Sequence, residues 1–233
     1  MAGRRRERRT PQSKLDATPP WPARERPPAE ATTGPYDILD RPDDGIARVD
    51  LGALLVPPAP GFELRLDLAE DQQVLSVTLA NSSGHMQLGV FAAPRSQGIW
   101  DEVRTEIADS VRTQGGSLKH QEDGPFGTEL VGTLKVDGRS TPVRFIGVDG
   151  PRWFLRAMLV GTVATDGAKA RPLETALRNI VVVRGVDPLP VREQVPLHLP
   201  ADALTLEGGD DDLDGSDPAE AADASGFQAQ ERT

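Results

Sequence analysis

The stretch from Val143 to Arg156, VRFIGVDGPRWFLR, decides the fold class. Two apolar runs flank a turn at Asp149-Gly150-Pro151, and polar residues alternate with apolar ones on both sides of it. Alternation around a glycine-containing turn is typical of a β-hairpin with one face of each strand buried. We therefore expect a β-hairpin here, and three arginines interleave with its apolar residues: Arg144, Arg152, Arg156.

Further strands are predicted on both sides of this hairpin. The segment from Phe62 to Leu68 alternates strictly between apolar and polar residues, which is typical of a half-buried strand. Several of the predicted strands are joined by short turns such as Asp137-Gly138, and such connections favour antiparallel pairing. The other predicted strands cover residues 46–56, 74–79, 86–91, 117–121, 129–136 and 181–183.

Two helices are predicted between the strands. The first has an apolar stripe at helical spacing, formed by Trp100, Val103, Ile107 and Val111. Its predicted N-cap is Ser96, and Gly115 or Gly116 is expected to end it. The second is predicted over residues 171–179, with Pro172 at its first position. An antiparallel sheet flanked by two helices is an α+β architecture.

Charge is distributed unevenly along the 233 residues, whose formal net charge is −10. Residues 1–30 hold eight Lys or Arg against four acidic residues, whereas residues 201–233 hold ten acidic residues against one Arg. Segments of this composition have little apolar surface to bury. We expect a disordered basic, Pro-rich head over 1–33, a single α+β domain over 34–200 and a disordered acidic tail over 201–233. Prolines make 185–200 an extended strap over the domain.

Several classes of function lack support in the sequence. There is no cysteine, so disulfides, thiolate metal sites and thiol nucleophiles are excluded. The three histidines lie far apart and no phosphate-binding glycine loop is present, so we expect neither a metal nor a cofactor. No apolar run resembles a signal peptide or is long enough to span a membrane, and we expect a cytoplasmic protein.

No set of residues specifies a reaction, so the favoured interpretation is a non-enzymatic binding or adaptor module of unknown partner. It would engage a protein or a small anion through a cationic, aromatic surface on the hairpin. Because successive side chains of a strand point to opposite faces, Arg144 and Arg156 point outward if Phe145 and Leu155 face the core. In the competing interpretation the arginines pair with the acidic helix and both tryptophans are core residues. The candidate ligand-binding residues are Arg144, Arg152, Trp153, Arg156, Arg95 and Trp100.

Two other functions stay open. An enzyme of unfamiliar type would use a cleft of carboxylates and arginines that includes Asp149, Arg152 and Glu102. Nucleic acid would associate weakly with the arginine-rich head, because no aromatic residues interleave with its cations and the acidic tail competes for them. The residues of that head are Arg4, Arg5, Arg6, Arg8 and Arg9.

A family resemblance is carried by four blocks, GPYDILDRPDDGIARVDLGALLVPP, FAAPRSQGIWDEVRTEIADS, VRFIGVDGPRWFLRAMLVG and VVVRGVDPLP. They resemble an actinobacterial family of uncharacterised proteins that share one domain of unknown function, DUF3710. The resemblance covers roughly residues 34–200 and implies a soluble cytoplasmic protein with variable charged tails. It implies no activity and transfers no functional residue. The element order is also similar to the Mog1/PsbP-like fold, an analogy that favours binding over catalysis.

Overall fold

The structure, a computed structural model, describes residues 34–68, 74–95, 97–136 and 138–200. The predictions for the head (1–33) and the tail (201–233) lie outside the described residues. No helix in the described ranges is long and apolar enough to cross a membrane.

Eleven strands and two helices follow one another along these ranges. The helices are α1 (Trp100–Thr113) and α2 (Gly167–Arg178). The strands are β1 (Tyr36–Asp37), β2 (Val49–Asp50), β3 (Leu54–Val56), β4 (Glu63–Leu68), β5 (Val74–Asn81), β6 (Gly84–Ala92), β7 (Ser117–Gly124), β8 (Gly127–Val136), β9 (Arg139–Gly150), β10 (Trp153–Gly161) and β11 (Val181–Val182).

Seven strands form one antiparallel sheet in the order β4-β5-β6-β10-β9-β8-β7. The predicted hairpin is confirmed as β9 and β10, which pair from Trp153 opposite Gly150 to Val160 opposite Val143. The turn lies later than predicted, at Pro151 and Arg152, and Arg152 has a φ of 66°. Proline followed by a left-handed residue is the combination that type II turns use, so the shift has a local cause.

Four short strands form a second sheet in the order β1-β11-β3-β2. The predicted single strand over residues 46–56 is wrong, because Gly52 adopts a φ of 77° and separates β2 from β3. The amide of Gly52 donates a hydrogen bond of 2.8 Å to the Asp50 carboxylate, which stabilises that turn. The strands β1 and β11 pair in parallel, with Tyr36 opposite Val181.

Two helices accompany a largely antiparallel set of strands, which confirms the α+β class, and both faces of the seven-stranded sheet are covered. The face that carries Leu155 and Ile146 packs against α2, the small sheet and the strap, since residues of all these elements belong to one buried cluster. The face that carries Phe154 and Phe145 packs against α1 in a second cluster. Successive residues of β10 are therefore buried on opposite sides, as in sheets with two covered faces.

The first turn of α1 is capped by a side chain of the hairpin. The predicted N-cap, Ser96, lies outside the described residues; the N-cap position of the helix is Ile99, which provides no side-chain cap. The Asp149 carboxylate instead accepts hydrogen bonds from the amides of Ile99 (2.8 Å) and Trp100 (3.3 Å). The predicted end is confirmed, because Gly115 follows the helix with a φ of 79°.

The helix α2 begins at Gly167 rather than at residue 171. The Asp166 side chain accepts hydrogen bonds from the amides of Ala168 (3.0 Å) and Lys169 (3.3 Å), which is the usual action of an N-cap aspartate. Pro172 therefore lies inside the helix and not at its first position.

The strap lies against the ends of the large sheet without joining it as a regular strand. Its apolar residues Val195 and Leu197 are buried at 5% and 1% exposure, so it belongs to the core. The amide of Arg192 donates a 2.7 Å hydrogen bond to the carbonyl of Ala92 at the end of β6. Arg192 has a φ of 72°, an uncommon conformation for a side chain with a Cβ.

Candidate functional site

Trp100 and Trp153, the two tryptophans among the candidate ligand-binding residues, are core residues. Trp100 and Trp153 are only 6% and 2% exposed. The indole N–H of Trp100 donates to the carbonyl of Thr128 at 2.7 Å, and that of Trp153 donates to the buried Asp37 carboxylate at 2.9 Å. Each ring is thus fixed by packing and by a partner for its single polar atom, as expected for a buried tryptophan.

The predicted outward position of Arg144 is wrong. The residue is 7% exposed and faces α2. Its guanidinium binds Glu129 through two hydrogen bonds of 2.6 and 3.0 Å, and Glu174 of α2 through one of 2.6 Å. Burial by itself lowers the pKa of Arg144, but the hydrogen bonds to the two glutamates outweigh it and leave that pKa raised. The prediction from side-chain alternation along the strand is wrong here because both faces of the sheet are covered at its centre.

The other candidate residues do not come together in one site. Arg95 is exposed in the loop before α1, and Arg152 occupies the hairpin turn. The carbonyl of Arg152 accepts hydrogen bonds from the Ala93 amide (3.0 Å) and from Nε of Arg184 (3.3 Å). Of the carboxylates in the enzyme hypothesis, Asp149 caps α1 and Glu102 pairs with Arg192 at 2.7 Å. The structure therefore gives Asp149, Arg152 and Glu102 separate partners.

Arg156 is the predicted residue that lines a pocket. It lies on the α1 face of β10, and its register partners on the two neighbouring strands are Gly89 and Gly147. The ring of Phe91 packs over Gly89 and the ring of Trp100 over Gly147, where a Cβ would be too close to either ring. The guanidinium lies 5.2 Å from the centroid of the Phe91 ring, within cation–π range.

The pocket beside this guanidinium has a volume of about 170 Å³ and is called the Arg156 pocket below. Its walls come from β6, β10, α1 and the strap. Most of the lining is apolar, and the rings of Phe91 and Phe154 lie 6.2 Å apart within it. The lining residues are Phe91, Ile99, Val103, Glu106, Phe154, Arg156 and Arg192.

The two arginines of the pocket differ in their electrostatics. Arg192 pairs with Glu106 at 2.8 Å and with Glu102 at 2.7 Å, and these hydrogen bonds raise its pKa. Among the described residues no carboxylate pairs with Arg156, and burial lowers its pKa. Arg156 therefore carries a half-buried positive charge without a counterion. A guanidinium in such a setting is suited to bind a carboxylate or a phosphate through paired hydrogen bonds.

Sequence reasoning identified Arg156 but missed the other polar residues of the pocket, Glu106 and Arg192. Glu106 lies on a helix face that resembles any solvated face, and Arg192 reaches the pocket from the strap, a segment without periodicity. The glycines opposite Arg156 were a usable signal, since glycine inside a strand often marks a close approach of another group.

Within the ranges that the structure describes, no group of three or more His, Asp or Glu side chains could hold a metal ion. The described residues that line the Arg156 pocket provide two guanidinium groups, one paired carboxylate and apolar side chains.

Comparisons with known proteins agree with the resemblance described above. No curated protein matches the sequence. Among solved structures, the crystal structure of LpqN, involved in cell envelope biogenesis of Mycobacterium tuberculosis, is similar with a TM-score of 0.32 and 12% identity, covering 64% of this chain and 99% of that one. The family described as "Protein of unknown function (DUF3710)" matches residues 34–205, well over half of the chain. The chain therefore belongs to the DUF3710 family of proteins of unknown function.

Proposed function

We propose that this domain is a non-enzymatic binding module that holds a small anion in the Arg156 pocket. The observation that supports the proposal is the guanidinium of Arg156, half-buried among apolar side chains and without a carboxylate partner among the described residues. An anion that enters the pocket supplies the missing opposite charge and hydrogen-bond acceptors.

The binding energy of such a contact is substantial. A hydrogen bond to a charged group contributes about 1.5–3 kcal/mol, and water competes less well at a partly buried site. The guanidinium also has an aromatic contact, because it lies over the ring of Phe91 with its carbon 5.2 Å from the ring centroid. A cation that is already ordered loses less conformational entropy when its ligand binds.

Binding is better supported than catalysis by the groups that line this pocket. Among the described residues its lining contains no hydroxyl, imidazole or thiol, and the one carboxylate among them, that of Glu106, is paired with Arg192. In the described part of the chain, no nucleophile or free general base therefore lines this pocket. The volume of about 170 Å³ favours a free small molecule over an acidic segment of a protein partner, the other ligand that the sequence suggests.

The proposal is tested by titrating the full chain with acetate, inorganic phosphate and benzoate at constant ionic strength, by isothermal calorimetry and by the shift in thermal midpoint. We expect at least one anion to bind saturably to the wild type and at least about tenfold more weakly to Arg156→Gln, a difference of about 1.4 kcal/mol. The matched control is Arg65→Gln, because the side chain of Arg65 is 63% exposed on β4.

Circular dichroism of each variant verifies that it is folded. Two results would overturn the proposal: no saturable binding of any of the three anions, or equal affinity of the wild type and the folded Arg156→Gln variant.

A further inference from the structure

The size, the walls and the charge of the Arg156 pocket also indicate which anion fits it. Resting on the binding function proposed above, we infer that the ligand is a monocarboxylate with a single flat apolar ring.

The pocket volume favours a ligand that buries one ring. The pocket has a volume of about 170 Å³ and is open to solvent. For comparison, a cavity of about 150 Å³ lined by aliphatic and aromatic side chains binds one benzene molecule. A second fused ring, a sugar or a nucleotide would extend from this space into solvent, whereas acetate leaves most of the apolar wall uncovered.

The walls favour a flat apolar body. The rings of Phe91 and Phe154 are tilted by 34° with their centroids 6.2 Å apart, which is a normal geometry for an aromatic pair. Ile99 and Val103 of α1 complete the apolar lining. Phe154 is 1% exposed and stacks on Trp100, so the partly exposed ring of Phe91 is the aromatic surface that a ligand ring can contact. An edge-to-face or offset contact of this kind contributes about 0.5–1.5 kcal/mol beyond the burial of surface.

The charge balance favours one negative charge over two. Arg156 is the cation of the pocket without a carboxylate partner, since Arg192 is shared between Glu102 and Glu106. Glu106 also lines the pocket, and its carboxylate repels a second negative charge on the ligand. One carboxylate can accept two parallel hydrogen bonds from one guanidinium. A phosphate dianion would have to draw Arg192 away from its glutamates.

The ligand class is tested by calorimetry of the full chain at about pH 7.5 with five probes. Benzoate has the inferred ring and charge, acetate lacks the ring and benzyl alcohol lacks the charge. Phenyl phosphate carries close to two charges at this pH, and 2-naphthoate has a second ring. We expect benzoate to bind at least about tenfold more tightly than each of the other four.

A size-changing variant provides an independent readout. Val103→Ala enlarges the pocket, so we expect 2-naphthoate to gain affinity relative to benzoate, a reversal that general destabilisation of the fold would not produce. The matched control is Val136→Ala, because Val136 is 49% exposed on β8 and does not line the pocket.

The outcomes separate the two proposals. If acetate, phenyl phosphate or 2-naphthoate binds through Arg156 as tightly as benzoate, the ligand class inferred here is wrong and anion binding stands. If the ratio of 2-naphthoate to benzoate affinity is unchanged in Val103→Ala, the ring does not occupy this pocket. If none of the anions binds, the binding function fails and this inference fails with it.

Discussion

The buried group of Glu129, Arg144 and Glu174 gives the sharpest prediction about stability. Arg144 joins β9 to β8 and to α2, and Glu129 is 0% exposed. Substitution Arg144→Met keeps much of the side-chain volume but leaves Glu129 as a buried charge without a partner. Breaking a buried ion pair in this way costs about 3–5 kcal/mol, a large part of the stability of an ordinary domain.

Urea unfolding at 25 °C followed by circular dichroism measures this loss. With an m-value of about 2 kcal/mol/M, a loss of about 4 kcal/mol lowers the midpoint by about 2 M. The control is Arg65→Met, whose partner Glu63 is 77% exposed, and we expect a change of at most about 1 kcal/mol. The double variant Glu129→Met/Arg144→Met contains no stranded charge at position 129 and should be more stable than Arg144→Met alone.

Two results would refute this reasoning. One is a loss in Arg144→Met no larger than that in Arg65→Met, which would mean that water reaches Glu129. The other is a double variant no more stable than the single one, which would mean that the cost comes from lost packing and not from the buried charge.

Three further predictions concern other sites. Asp149→Ala removes the acceptor of the first α1 amides and should lower stability by about 1–2 kcal/mol in thermal unfolding; an unchanged midpoint would contradict the capping role. Gly147→Ala pushes a methyl group into the overlying indole ring and should cost about 1–3 kcal/mol, whereas Gly167→Ala, with open space around it, should be neutral or stabilising by up to about 1 kcal/mol. The hydrogen bond from Arg48 lowers the pKa of Asp44 from 3.8 to about 2. The stabilisation from that pair is complete above the unfolded value and is lost as the pH falls through about 2. NMR titration should show this low pKa, and Arg48→Met should raise it towards 3.8.

Features that depend on neighbours in the chain could be predicted. The hairpin, the strand β4 and the apolar stripe of α1 all follow from periods of two or 3.6 residues, which side-chain geometry imposes locally. The capping of α1 could not be predicted, because the acceptor, Asp149, lies 50 residues from Ile99. The parallel pairing of Tyr36 with Val181 likewise joins segments that have no common local pattern.

The candidate site also combines features that local sequence predicts with features that depend on distant parts of the chain. Alternation places Arg144 and Arg156 on definite faces of their strands, but it does not reveal whether a face is covered. Arg144 faces α2 and finds two glutamates, whereas Arg156 faces α1 and finds aromatic rings. The difference depends on which helix packs where and on the path of the strap, and both are properties of the whole fold.

The hydrogen bond between Asp149 and the start of α1 connects the hairpin tip to the wall of the Arg156 pocket. Asp149 lies next to the turn at Pro151 and Arg152, and Ile99, which it binds, is part of the pocket wall. We therefore expect a displacement of the hairpin tip to be passed through the Asp149 carboxylate to the first turn of α1, and so to the wall that Ile99 contributes to the pocket.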